Sequence, residues 1–248
     1  MDQPDFRTDS QSSRILNFAF LSGSAPLLCG VDEAGRGCLA GPLFAAAVVL
    51  DPARPVSYLD DSKRLTPARR EALAREIREK ARAYGLGVAT VKEIDTRGLD
   101  WANRIAFTRA VRDMLRRAPT LSASEFVVCI DGARPALRLG LRQVTVPGGD
   151  RTVPEIAAAS ILAKTARDRW VLEHMHARYP HFGFDTHKGY ATRRHATALA
   201  AWGPTPYHRM SFTLPGLGQA PHSAKQEAGA LSGRGAARRR PVRGDEGP

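Results

Sequence analysis

The sequence predicts an α/β protein: a mixed central sheet flanked by helices, with a helical C-terminal part. Three observations predict it. Short apolar runs rich in Val, Ala and Ile alternate with longer amphipathic stretches, the order in which strands and helices build a layered sheet. Two of those runs, residues 28–33 and 125–132, end in acids, and strand ends are where sites gather in α/β sheets. The last third of the folded part carries two helical patterns, from 154 to about 178 and from 191 to 202.

The elements follow in order. Residues 28–33 and 43–50 read as strands, and "LFAAAVVL" (43–50) as a buried one. "TPARREALAREIREKARAYG" (66–85) reads as a helix, with Thr66 as N-cap, Pro67 in the first turn and Gly85 after its end. Residues 85–92 read as a strand, and 99–117 as a helix with Ile105, Val111, Met114 and Leu115 inward. "EFVVCIDG" (125–132) is a strong buried strand, and 141–146 alternates as a strand does. Thr152-Val153-Pro154-Glu155 has the spacing of a capping box for a helix reaching about Arg178.

Composition divides the chain of 248 residues into a polar N-terminal extension (1–25), one folded domain (26–217) and a disordered basic tail (218–248). The tail holds six Lys/Arg against three acids, so most of the net charge of +12 belongs to the folded part. That charge favours a polyanionic partner, most simply nucleic acid. No apolar run approaches the roughly 18 residues of a membrane span, and "MDQPDFRTDSQSS" is unlike a secretory signal. Cys29, Cys38 and Cys129 show no zinc spacing and read as reduced thiols of a cytoplasmic protein.

The chemistry concentrates in "GVDEAGRG" (30–37), where an apolar run ends in Asp32 and Glu33 and Arg36 sits between two glycines. Asp131 closes a second buried strand in the same way. If the two strands are neighbours, Asp32 and Asp131 come within reach of one hard divalent cation, which wants oxygen ligands. Asp150, in "PGGD", could approach the same point. Asp131-Gly132 could instead be a turn, and Asp150 could serve the next helix's N-terminus. Glu33 poses a difficulty, because successive strand side chains point to opposite faces. Either the pleat breaks after Asp32, or Glu33 acts through its carbonyl or a water. His187, His195 and His208 match no zinc pattern.

"GVDEAGRGCLAGPL", "DDSKRLTPARRE", "IDG", "EIAAASILAKTARDRW" and "YPHFGFDTHKGYATRRHATALAAWGPTPYHRMSF" together resemble bacterial ribonuclease HII, the type 2 ribonuclease H. The likeness runs in order from about residue 28 to 213. It departs in small ways, with Cys38 where proline is commoner and Thr165-Ala166 before Arg167-Asp168. The resemblance implies a ribonuclease H-like fold and cleavage of RNA in RNA–DNA hybrids. It also implies incision beside single ribonucleotides in duplex DNA, using two Mg²⁺ or Mn²⁺ ions. Its four acidic positions fall on Asp32, Glu33, Asp131 and Asp150, the first three as metal ligands. Asp168 competes for fourth place, but Lys164 lies four residues before it on one helix and an ion pair explains it. Gly35, Arg36, Gly37, Lys63, Lys164, Lys188 and Tyr190 become the substrate-binding set. The turn reads a ribose 2′-hydroxyl, and Tyr190 tests the next sugar. The small residues of "AAAS" (157–160) read as close packing against the sheet. The sister ribonuclease HIII, which usually carries an extra N-terminal domain, and a non-catalytic nucleic-acid binder are the alternatives.

Overall fold

The computed structural model describes residues 27–57, 59, 62, 65–132 and 140–214. Lys63 and the proposed extension and tail (1–25 and 218–248) lie outside the described residues.

Among the described residues five strands form one sheet: β1 (Leu27–Ala34), β2 (Leu43–Val49), β3 (Ala83–Ala89), β4 (Phe126–Asp131) and β5 (Gln143–Val146). Their order is β3-β2-β1-β4-β5. β1–β2 and β2–β3 are antiparallel, whereas β1–β4 and β4–β5 are parallel, so the sheet is mixed, as expected. β1 is central because it is apolar on both faces: Cys29 and Val31 join one core cluster, and Ala34 joins another.

One face is covered by α3 (Leu99–Arg117), preceded by the short α2 (Val91–Arg97). Ala106, Phe107, Ala110, Val111 and Met114 recur at helical spacing and pack on Val31, Val128 and Ile130. The other face is covered by α4 (Pro154–Trp170), with α1 (Pro67–Lys80) beside it. Gly30 lets α4 approach, since a Cβ there would lie 2.0 Å from the Glu155 carbonyl carbon. A C-terminal layer follows from α5 (Phe184–His187) and α6 (Arg193–Trp202), over a cluster of Leu39, Val171, Phe182, Phe184 and Leu199.

Several boundaries differ from expectation. The 66–85 helix starts as read, with Thr66 accepting from the Arg69 amide, but stops at Lys80. Residues 83–89 pair with β2 from Ala83↔Val49 to Ala89↔Leu43, and that ladder overrides local helix propensity. Residues after 90 are helix, not strand, because Thr90 and Glu93 form a reciprocal capping box. The box expected at Thr152 does not form. Val153 is the N-cap of α4 without a side-chain bond, and Thr152 Oγ1 is buried with no hydrogen-bond partner among the described residues. α4 gives way at Val171–His176 to a turn of π-helix.

Candidate active site

β1 and β4 deliver the first two acids. Val31 pairs with Ile130 across the parallel ladder, so Asp32 and Asp131 are the next residues on strands about 4.8 Å apart. Val31 and Ile130 face α3; alternation therefore turns Asp32 and Asp131 toward α4. Asp32 is buried and accepts from the Glu33 amide at 2.7 Å and from the Ser160 hydroxyl on α4. Burial raises its pKa well above the carboxylate range, and the charges of Glu33 and Asp131 raise it further. Among the described residues the groups acting on Asp32 are two acids, a hydroxyl and an amide. A buried cluster of like charge is the environment a cation completes.

Asp131 Oδ1 accepts from the Gly149 amide at 2.8 Å. That bond seats the turn Gly149–Arg151 beside β4 and brings in Asp150, which is buried. Asp168 lies elsewhere, between Lys164 at 2.7 Å and Arg70 at 3.2 Å, the ion pair its spacing suggested. Glu33 keeps its place in a regular strand, since pairing continues unbroken to Ala34↔Phe44. The pleat therefore does not break, and Glu33 stays on the face opposite Asp32. Among the described residues no three acids, histidines or cysteines are gathered at ligand distance. Glu33 and Asp131 are near enough to raise the pKa of Asp32, yet the described acids are not closed into a cage.

The second half of the site is the loop that follows β1. Arg36 pairs with Asp100 at 2.7 Å, with both side chains well exposed. Gly35 has a positive φ of 94°, and a Cβ there would lie 2.1 Å from Arg167 Nε. Its missing side chain has an internal cause. Around Gly37, by contrast, no described residue stands within 4 Å of such a Cβ, so among the described residues that side is open to a ligand. Tyr190 joins this loop through a bridge to Cys38. Its ring is partly exposed, with Lys164 Nζ at 5.5 Å from its centroid. Lys188 adopts a left-handed conformation (φ 49°), and its ammonium donates to the Asp185 carbonyl. The structure thus gathers Gly35–Gly37, Lys164, Lys188 and Tyr190 on one flank.

Three supporting features were not legible in the sequence. Ser160 bonds Asp32, and its hydroxyl lies 2.9 Å from that of Ser62, tying Ser62 to the acids; reading "AAAS" as packing missed this. Arg209 and Arg167 are fully buried. Arg209 donates to the carbonyls of Gly35 (2.7 Å), Arg36 (2.9 Å) and Gly41 (2.8 Å); burial pushes its pKa down to about 10. The histidines form a buried chain. The Thr205 amide donates to His208 Nδ1 (2.8 Å), leaving His208 Nε2–H for His195 Nε2 (2.9 Å), whose Nδ1–H donates to the Tyr190 carbonyl (2.9 Å). Each ring is therefore neutral with its tautomer set by its partners. The three cysteines are buried and free, and burial raises the pKa of each, so none is a ready nucleophile.

The family model described as Ribonuclease HII matches residues 29–214. The chain belongs to the ribonuclease HII family. It is 50% identical over 186 residues to ribonuclease HII of Burkholderia thailandensis and of Burkholderia mallei, covering 75% of this chain and 83% of each relative. Among solved structures, the PCNA:RNase HII complex from Archaeoglobus fulgidus matches with a TM-score of 0.61 at 29% identity, over 76% of this chain and 96% of that one. Ribonuclease H2 from Pyrococcus horikoshii matches at 0.58 and 25%, over 76% and 94%. Bst-RNase HIII in complex with Mn²⁺ shares the fold, at 0.57 and 20%, over 72% and 63%. As a ribonuclease HII the chain is a nuclease of the hydrolase class, an endonuclease acting on RNA in RNA–DNA hybrids. Its mixed sheet with flanking helices is ribonuclease H-like. Among the described residues no helix is long and apolar enough to cross a membrane.

Proposed function

We propose that this ribonuclease HII also incises duplex DNA on the 5′ side of an embedded ribonucleotide, leaving 3′-hydroxyl and 5′-phosphate ends, with two Mg²⁺ or Mn²⁺ ions. The observation that carries the metal reading is Asp32: a buried carboxylate, level with Asp131 on the adjacent strand, whose pKa rises on account of burial and of two further acids. That donor set is all oxygen and suits a hard divalent ion. Asp32 and Asp131 would hold the ions, Glu33 would contribute through its carbonyl or a water, and Asp150 would be the fourth acid. Ions so held would supply an activated water and neutralise charge at the scissile phosphate and the leaving oxygen.

The chain's own residues orient the substrate. The open side of Gly37 admits a sugar, where backbone groups can read a 2′-hydroxyl as donor and acceptor. Arg36 is held by an exposed ion pair; such a pair is worth little, so the guanidinium is available to exchange Asp100 for a phosphate. Lys63, Lys164 and Lys188 contribute further phosphate contacts. The Tyr190 ring stacks on the following deoxyribose and crowds a second 2′-hydroxyl.

A duplex with one ribonucleotide, incubated with Mg²⁺, with Mn²⁺ or with EDTA, tests this reading. A single cut 5′ to the ribonucleotide, abolished by EDTA, is expected. Cleavage of uniform hybrid without any incision of this duplex would confine the enzyme to hybrids.

A further inference from the structure

Arg167 projects from α4 and is fully buried, yet among the described residues its hydrogen-bond partners are all main-chain carbonyls. Nε donates to Pro42 at 3.2 Å and Nη2 to Ala40 at 3.1 Å, both in the loop that follows Gly35–Gly37. Nη1 donates to Lys188 at 2.9 Å, two residues before Tyr190. One side chain therefore joins loops that lie about 150 residues apart in sequence. The same guanidinium sits 5.8 Å from the Tyr190 ring and against Gly35. Around it the loops also meet directly, through the Leu39 amide on the Gly189 carbonyl at 2.9 Å and the Cys38–Tyr190 bridge.

A buried charge without a carboxylate is costly, and an apolar side chain would fill the same space more cheaply. What an apolar residue lacks is a planar fork of donors in fixed directions. We infer that Arg167 is a positioning residue for junction recognition, fixing Tyr190 relative to the Gly35–Gly37 turn. The inference rests on the proposed reading of two adjacent sugars by those two elements. Discrimination between a 2′-hydroxyl at one sugar and its absence at the next depends on the spacing of the two readers. Slack between them would admit a second ribose where Tyr190 otherwise crowds it. A uniform hybrid offers a 2′-hydroxyl at every step and depends less on that spacing.

Wild type, Arg167→Lys, Tyr190→Ala and the double variant, each checked for a native melting transition, are compared with Mn²⁺ on a single-ribonucleotide duplex and on uniform hybrid. The readout is the ratio of the two kcat/KM values. Arg167→Lys keeps the charge but loses the fork, and should lower the ratio about tenfold, mainly through kcat. The double variant should have the ratio of Tyr190→Ala alone, because Arg167 acts on it through Tyr190. An unchanged ratio in Arg167→Lys, equal losses on both substrates, or additive effects in the double variant would overturn the positioning role while leaving the two-sugar reading in place. A wild type without preference, or a Tyr190→Ala with an unchanged ratio, overturns that reading and the inference with it. If Arg167→Lys lacks a native transition, Arg167→Gln takes its place, and failure of both to fold overturns positioning in favour of a structural role.

Discussion

Asp131 allows charge and shape to be separated. Its Oδ1 accepts from the Gly149 amide, and an asparagine keeps that acceptor while losing the charge. Asp131→Asn should bind hybrid much as wild type does and cleave it roughly a hundredfold more slowly or worse, because metal affinity and alignment go with the charge. Full cleavage by the purified variant would remove Asp131 from the ligand set. The fourth acid is tested by the same substitution at two sites. Asp150→Asn should impair cleavage strongly. Asp168→Asn should instead lower thermal stability, by on the order of 1–3 kcal/mol, since it leaves the mostly buried Lys164 and Arg70 without their carboxylate. If Asp168→Asn abolishes cleavage and Asp150→Asn does not, the assignment is reversed.

At the scale of elements, β1 works only because α4 lies close to it. A Cβ at Gly30 would stand 2.0–2.3 Å from three backbone atoms of Glu155 and Ile156, and a helix backbone cannot yield as a side chain does. Gly30→Ala should cost about 3 kcal/mol or prevent folding, measured by urea unfolding. Wild-type stability in the Gly30→Ala variant would show that α4 has room to move.

The C-terminal layer carries a different liability. His208 titrates near 6.5 when unfolded, and burial beside His195 pushes it down to about 4 in the fold. Between those values the unfolded chain binds more protons, so stability rises with pH through the window and is lost as pH falls from about 6.5 toward 4. The loss from this residue should be on the order of 2 kcal/mol. His208→Gln should flatten the slope in that range, and an unchanged slope would place acid sensitivity elsewhere.

At the scale of the whole molecule, the charge of the C-terminal segment can be tested apart from the fold. The segment 219–248 contributes six of the basic residues and three acids. Its deletion should leave the catalytic step intact and weaken binding mainly at low salt, because phosphate contacts made by a basic tail fade as salt rises. A truncated protein inactive at every salt concentration would show that the tail belongs to the fold.

The sequence by itself determined the alternation of strands and helices, the acids closing β1 and β4, and the family, through motifs that are continuous in the chain. Those features are local: a strand's apolar run, its terminal acid and the Gly35–Arg36–Gly37 turn lie within a few residues of one another. Tertiary structure decided what depends on distant partners. That the 66–85 helix stops at Lys80 follows from β3 pairing with β2. That Thr90 caps and Thr152 does not depends on which segment the fold turns into helix. Ser160 resembled packing until its hydroxyl met Asp32, and Gly35 resembled a ligand-facing glycine until Arg167 filled its Cβ space. Nothing in the sequence marks Arg167 and Arg209 as buried, because a string of residues does not show which carbonyls a guanidinium will find. Their partners are main-chain carbonyls of loops, and only the assembled layers bring those oxygens to donors that burial would otherwise leave unsatisfied.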